Sequence, residues 1–180
     1  DRIRTWKGQV VDKLTSGLLT LSKRRKVQFV QGQAVFEGSD RVRLENSEVS
    51  QIRFRHAIIA TGSHTTPFGD MPFAKGSRIM DSAAALELPE IPRSLLVLGG
   101  GYIGLEMGTF YAALGSRVTV VVHGDRLLRG ADEDLTNVLL FRLKEIFEAI
   151  HYKTQVLSLK EHDKGVDVKF KGEVNQAEQA

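Results

Sequence analysis

From Asp1 to about Lys26, apolar residues recur every three or four positions, at Ile3, Trp6, Val10, Leu14, Leu18 and Leu21, with lysines and arginines between them. That spacing predicts an amphipathic helix. The pattern is already running at Asp1, with no capping residue ahead of it. It closes on Lys23-Arg24-Arg25-Lys26, where cations suit the negative end of a helix dipole. The same run would also serve as a nucleic-acid patch, but a solvated helix end is the simpler expectation. From Val27 to His56 the period drops to two. Val27/Phe29, Ala34/Phe36, Val42/Leu44 and Ile52/Phe54 alternate with polar residues, and Gly32, Gly38-Ser39-Asp40 and Glu45-Asn46-Ser47 punctuate them, which predicts a small antiparallel meander. Ala57-Ile58-Ile59-Ala60 is an unbroken apolar run entering Thr61-Gly62-Ser63, the pattern of a buried strand ending in a tight turn.

The segment His64 to Gly76, with Pro67, Gly69 and Pro72, reads as an irregular connector. Asp81-Ser82 supplies an N-cap for a short helix over Ala83–Leu88, stopped by Pro89 and Pro92. Beyond Pro92 the pattern becomes α/β. Ser94–Leu98 reads as a buried strand, Gly99–Leu114 as a helix opened by glycines and closed by Gly115, and Val118–Val122 as a second strand. His123–Glu133 is a loop, and Leu135–Ile150 a helix with Leu139, Leu143, Ile146 and Phe147 inward. Val156–Leu159 and Val166–Phe170 are two further strands, and the tail from Gly172 to Ala180 is polar and patternless.

Composition narrows the class. At 180 residues the chain is sized for one domain and part of a second, on a scale of roughly 150 residues each. Apolar residues at 42% suffice for a core, and a net charge of +3 argues for neither nucleic-acid nor membrane binding. No run approaches the roughly 18 apolar residues of a membrane span, and no signal-peptide layout is present. With zero Cys, this stretch carries no disulfide, thiolate metal site or dithiol chemistry, which is compatible with a cytoplasmic location. His56, His64, His151 and His162 show no ligand spacing, so no metal site is expected. Ser63 and Ser82 have no partner that would make either a nucleophile.

Gly99-Gly100-Gly101-Tyr102-Ile103-Gly104 matches G-x-G-x-x-G. The string alone is weak, but here it follows a buried strand, opens a helix and precedes a second strand, the context of a dinucleotide-binding turn. Gly99 would make the tight turn, Gly101 would admit a pyrophosphate to the helix N-terminus, and Gly104 would let helix and strand pack closely. The acid expected at the end of the second strand, to grip a ribose 2′-hydroxyl, is missing. The strand ends Val120-Val121-Val122-His123-Gly124, and Asp125 lies in the following loop. His123, Arg126 and Arg129 stand there instead, which makes NADP as open as NAD. That these three are merely loop surface stays open as well.

At this point the residues resemble a known family, the flavin-dependent pyridine nucleotide-disulfide oxidoreductases, and within it the dihydrolipoamide dehydrogenase branch. The likeness runs through Ile58-Ile59-Ala60-Thr61-Gly62-Ser63, Ser82 with Ala85-Leu86, and Pro92–Leu98 into Gly99–Gly104. It continues in Leu105-Glu106, Leu114–Val121, Asp125-Arg126-Leu127-Leu128 and Ala131–Asp134, so that it covers essentially the whole chain. It implies a Rossmann-like NAD(P)-binding domain with a parallel sheet over residues 81–180, without its last strand. Ahead of it, residues 1–80 would be the later part of a first FAD-domain segment, a helix plus a small meander. Backbone around Gln33-Ala34 would contact the FAD adenine, and Ala60-Thr61-Gly62 would lie against FAD. Tyr102 would shield the flavin on its nicotinamide side, Glu106 would pair with a lysine outside this chain, and Val156 would lie near the nicotinamide nucleotide's adenine.

The resemblance implies a central piece of an enzyme that oxidises dihydrolipoamide of a 2-oxo acid dehydrogenase complex. Electrons would pass through a disulfide and FAD to NAD or NADP, and the parent would be a homodimer formed by a C-terminal domain. The family's FAD glycine loop, C-x-x-x-x-C pair and C-terminal His-Glu pair are not in these residues, so the chain alone is expected to be inactive. The branch usually has Glu where Val122 stands and Pro where Arg129 stands. Arg129 and His123 look more like the NADP-using glutathione reductase branch. Two other readings therefore remain: another family member, such as a glutathione or mercuric reductase, and a non-catalytic NAD(P)-binding module.

Overall fold

A computed structural model describes residues 2–69 and 73–172, and the polar tail expected past Gly172 lies outside them. The chain divides into two compact units, Asp1–His64 and Thr65–Ala180.

In the first unit, helix α1 spans Arg2–Arg24, as the three-to-four spacing predicts, and its last turn carries Lys23 and Arg24. Lys26 turns the chain out of the helix with φ +55°. Strands β1 (Gln33–Phe36), β2 (Arg41–Glu45) and β3 (Gln51–Arg53) form an antiparallel meander in which Ala34 faces Leu44 and Val42 faces Ile52. Phe36 and Phe54 meet edge to face at 5.9 Å, and Arg43 bridges Glu37 and Glu45 at 3.1 and 2.6 Å.

Two expectations for this unit fail. Val27 and Phe29 form no strand and are exposed, and Ala57–Ala60 is not a buried strand but irregular chain with Ile58 94% exposed. An apolar run becomes a buried strand only where a sheet offers it hydrogen bonds and cover on both faces. The only sheet described in this unit is β1–β2–β3, which pairs with neither segment.

The second unit holds every buried apolar side chain among the described residues. Helix α2 (Ser82–Leu86) is capped by Asp81, whose carboxylate accepts from Ala84 N at 2.8 Å and from the Thr65 hydroxyl at 3.0 Å. Strand β4 (Ser94–Leu98) is largely apolar and buried at Val97, whereas β5 (Arg117–Val121) is rich in β-branched residues and buried at Val118, Val120 and Val121, as suits a central strand. They pair in parallel around helix α3 (Tyr102–Ala113). Leu105, Gly108 and Tyr111 are the buried positions of α3, and the Tyr111 hydroxyl donates to Ala85 O at 2.8 Å. Gly115, at φ +102°, ends the helix: its N–H donates to Ala112 O and that of Ser116 to Tyr111 O, a Schellman closure that needs a left-handed residue.

Helix α4 (Glu133–Ile146) leads to a third parallel strand, β6 (Ala149–His151), giving the order β4-β5-β6. The helix predicted to continue to Ile150 therefore ends one turn earlier. Apolar Ile146, Phe147 and Ile150 continue its period, but Phe147 is extended at ψ +143°, and Glu148 N donates to Val118 O of the sheet. Strands β7 (Thr154–His162) and β8 (Gly165–Gly172) form an antiparallel ribbon with a register shift between Val156 and Ser158. Near its tip, Glu161 accepts from the Ser77 hydroxyl at 2.7 Å and from Arg78 N at 2.6 Å, while Arg78 reaches Asp163 O and Glu90. No helix among the described residues is long and apolar enough to cross a membrane.

The Ala84 N–H, and after it the Thr65 hydroxyl, hold the Asp81 carboxyl below the usual carboxylate range. A carboxyl depressed by folding stabilises above its unfolded pKa, and that contribution is lost as pH falls through the lower folded value. Asp81→Ala is expected to cost about 1 kcal/mol at neutral pH and to flatten the acid side of the stability profile, both read by denaturant unfolding across pH.

Candidate dinucleotide-binding site

The glycine string is the corner between β4 and α3, and its glycines serve different ends. Gly99 turns at φ +107°, a conformation that side chains resist, while its N–H donates to Val121 O at 2.8 Å. At Gly104 a methyl group would stand 2.9 Å from Val97 Cγ1 and 3.1 Å from Gly99 O, so its absence lets α3 close on β4. Gly100, expected from sequence to take part in nucleotide binding, is required from below by packing. A methyl there would sit 2.8 Å from Leu127 Cδ2 and 3.1 Å from Val122 Cγ2.

Gly101 is the opposite case, since nothing lies within 4 Å of where its methyl would project. It is the N-cap of α3, extended at φ −82° and ψ +166°, with no side-chain cap and no acid in the first turn. The N–H groups that open a helix have no intrahelical acceptor, and the first such bond here is Leu105 N to Gly101 O at 3.1 Å. The positive end of α3 is thus left without an anion of its own, beside an open approach to its backbone.

The loop after β5 is folded against this corner. Val122 and Leu127 are 5% and 4% exposed. Leu128, at φ +47°, donates its N–H to Gly100 O at 2.9 Å. Val122 N donates to His151 O, Thr154 N to Val122 O, and Lys153 N to Gly124 O, so the passage from β6 into β7 anchors the start of the loop. Arg126 braces it, with Nη1 3.1 Å from Glu133 Oε1 and Nη2 donating to Arg129 O at 2.6 Å. Sequence reasoning missed Leu127, Leu128 and this brace; the signal available was two adjacent leucines inside an otherwise polar loop.

The structure thus brings Gly99–Gly104, Val122, His123 and Arg129 to one end of the parallel sheet. His123 and Arg129 are exposed, and Val156, half-buried in β7 opposite Phe170, lies two residues past Thr154. Tyr102 and Ile103 are 67% and 46% exposed. Tyr102 and exposed Glu106, four residues apart, share a face of α3. Ala34, Ala60, Thr61 and Gly62 belong to the first unit. Ala34 is paired within the meander, whereas Ala60–Gly62 is exposed irregular backbone with Gly62 at φ +76°, and no strand pairing joins the two places among the described residues.

A parallel β-α-β unit with a glycine corner and an uncapped helix start defines a nucleotide-binding α/β protein. The family described as pyridine nucleotide-disulphide oxidoreductase matches residues 1–179, and the chain belongs to it. It is 39% identical over 179 residues to the dihydrolipoyl dehydrogenase of Vibrio parahaemolyticus serotype O3:K6, and 38% identical over 172 residues to that of Geobacillus stearothermophilus. The alignments cover 99% and 94% of this chain but 37% and 36% of those relatives, so the chain spans little more than a third of their length. Among solved structures it is similar to the HOCl-induced flavoprotein disulfide reductase RclA of Escherichia coli, with TM-score 0.78 and 27% identity over 96% of this chain and 39% of that one.

Gly104→Ala is expected to destabilise the second unit by about 1–3 kcal/mol, because backbone and Val97 must both shift. Gly101→Ser, in open space and with a good capping side chain, is expected to leave stability unchanged or slightly raised. Urea unfolding of the two variants beside the parent sequence measures both.

Proposed function

We propose that Gly99–Gly104 and the loop 122–131 hold the pyrophosphate and adenosine ribose of NAD or NADP, and that the chain supplies the nicotinamide-nucleotide site of a flavin-dependent dihydrolipoamide dehydrogenase. The observation that carries this reading is the start of α3: unsatisfied N–H groups, no acid in the first turn, and open space at Gly101. When bound, the nicotinamide supplies a two-electron hydride acceptor, and this chain's residues bind and orient it. In net terms dihydrolipoamide loses two electrons and two protons to become lipoamide, and NAD(P)+ takes a hydride while one proton is released. The chain has no Cys, so the dithiol chemistry belongs to residues outside it.

In this reading residues 1–80 are the later part of the first FAD-domain segment and 81–180 the NAD(P) domain. Thr65, Ser77 and Arg78 fall in the second unit and are tied there through Thr65–Asp81 and through Glu161 with Ser77 and Arg78. FAD would be held in part by backbone at Ala34 and by the exposed turn Ala60-Thr61-Gly62, where nothing lies within 4 Å of a methyl placed on Gly62. Tyr102 would cover the flavin, Glu106 would pair with a lysine outside this chain, and Val156 would lie by the nicotinamide nucleotide's adenine. The whole protein would be a cytoplasmic homodimer serving a 2-oxo acid dehydrogenase complex. A second reading, another disulfide reductase of the same family, is favoured by Val122 and Arg129, which depart from the dehydrogenase pattern, and by the likeness to RclA.

Calorimetric titration with NAD+ and NADP+ tests the site. At least one is expected to bind, and Gly101→Ser, which fills the approach and takes up helix N–H groups, is expected to weaken it by more than about tenfold, or ~1.4 kcal/mol, without loss of stability. Absence of binding by both nucleotides would overturn the reading. A polypeptide limited to residues 1–180 is expected to oxidise dihydrolipoamide no faster than a blank, because the relay needs thiolates.

A further inference from the structure

We infer that the N–H of Gly101, one of the backbone donors at the start of α3, is aimed from outside the glycine corner by the backbone of Leu128, with Arg126 as the positioning residue that keeps Leu128 in place. The inference rests on the dinucleotide reading above and deepens it. The Gly100 carbonyl and the Gly101 N–H belong to one peptide group, and in a trans peptide they point in opposite directions. None of the described peptide bonds is cis. Glycine stands on both sides of that group, so no side chain of its own resists rotation about the flanking bonds. What fixes it is the Leu128 N–H, which donates to Gly100 O at 2.9 Å. The carbonyl is thereby turned to the loop and the Gly101 N–H away from it, at a residue whose methyl position has no neighbour within 4 Å. Half a turn of the group would offer an anion the carbonyl oxygen instead of the donor.

Leu128 does not hold this position by preference. Its φ is +47°, in the left-handed region that a leucine avoids by roughly five- to thirtyfold. Three contacts keep it there. Leu127, 4% exposed, is packed under Gly100. Ala131 N donates to Leu128 O at 2.8 Å. Arg126 spans the residue from outside: Nη2 donates to Arg129 O at 2.6 Å and Nη1 to Glu133 Oε1 at 3.1 Å. The chain that follows Leu128 is thus tied to a residue that precedes it and to the first turn of α4. An exposed ion pair with Glu133 alone would contribute little, but a planar guanidinium bonded at two points fixes the geometry of the loop. Because Leu128 lies on the carbonyl side of the peptide group, neither it nor Arg126 needs to touch the nucleotide to act on its binding.

The test is calorimetric titration of the full-length protein with NAD+ and NADP+, beside urea unfolding of each variant. Arg126→Ala is expected to weaken whichever nucleotide binds by about tenfold, within the cost of a left-handed leucine, and to weaken both alike if both bind. Replacing the Leu128 amide by an ester, through incorporation of the corresponding α-hydroxy acid, deletes only the N–H and is expected to give the same loss. It decides the matter if Arg126→Ala does not fold. Adding Leu128→Gly to Arg126→Ala is expected to recover at least about threefold in affinity, because glycine accepts a positive φ without a brace, although the change removes apolar packing. A merely structural role for Arg126 predicts the reverse, since a second destabilising change deepens the loss. Affinity within about twofold of the parent in Arg126→Ala or in the ester, or a loss that persists or deepens in the double variant, overturns the proposal while leaving the dinucleotide site standing. Failure of the parent protein to bind either nucleotide removes the site and the proposal together.

Discussion

The close approach of α3 to β4, made possible by a hydrogen atom at residue 104 where other residues carry a side chain, is the constraint on which the second unit is built. It sets where the helix begins and where its unpaired N–H groups lie. Gly100 repeats the device one turn earlier, resting on Val122 and Leu127, and Gly108 repeats it farther along, where a methyl would stand 3.0 Å from Phe147 Cζ and 3.3 Å from Val118 Cγ1. Protein interiors are packed densely enough that a single methyl at such a place is felt. The core residues Val97, Leu105, Tyr111, Val118, Val120, Val122, Leu127, Leu143 and Phe147 form one cluster around these contacts. The same packing that stabilises the unit also shapes its ligand-facing corner.

Much of this was legible in the residues. The strand Ser94–Leu98 (though only its Val97 is buried), the glycine corner, Gly115 as a left-handed stop and Asp81 as a cap each depend on local chemistry, and each stands where local chemistry puts it. The failures share a cause, which is that burial is not local. Ile146, Phe147 and Ile150 continue a helical period, and only the parallel edge of β5 turns Ala149–His151 into a strand. Ala57–Ala60 has the composition of a buried strand but pairs with no strand described in its unit. In the loop after β5, the inward turn of Leu127 depends on the missing side chain of Gly100, where a methyl would stand 2.8 Å from Leu127 Cδ2, and no periodicity reveals that contact.

The first unit shows what remains when pattern is present without cover. Trp6, Leu14 and Leu18 keep a clear helical spacing, yet each is 66% exposed, and α1 has no buried residue. Its meander relies instead on cross-strand pairs, with one edge-to-face aromatic contact and an arginine shared between two glutamates. A side-chain pair such as the aromatic one contributes roughly 0.2–1 kcal/mol, far less than the burial of a full-sized apolar side chain, at about 1.5–3 kcal/mol, and the arginine is fully solvated.

The clasp at Glu161 carries a consequence for how the protein is made. Arg78 and Glu161 are 83 positions apart, so during synthesis at about 5–20 residues per second the earlier partner waits roughly 4 to 17 s for the later one to be added. Within that interval β4, α3 and β5 are added in turn, and once Val121 is in place they are complete in sequence and free to assemble around the glycine corner before Glu161 arrives. The segment leading into them gains its contact with Glu161 only after the tip of the ribbon has been added. The glycine corner is therefore whole in sequence before this clasp at its entrance can close.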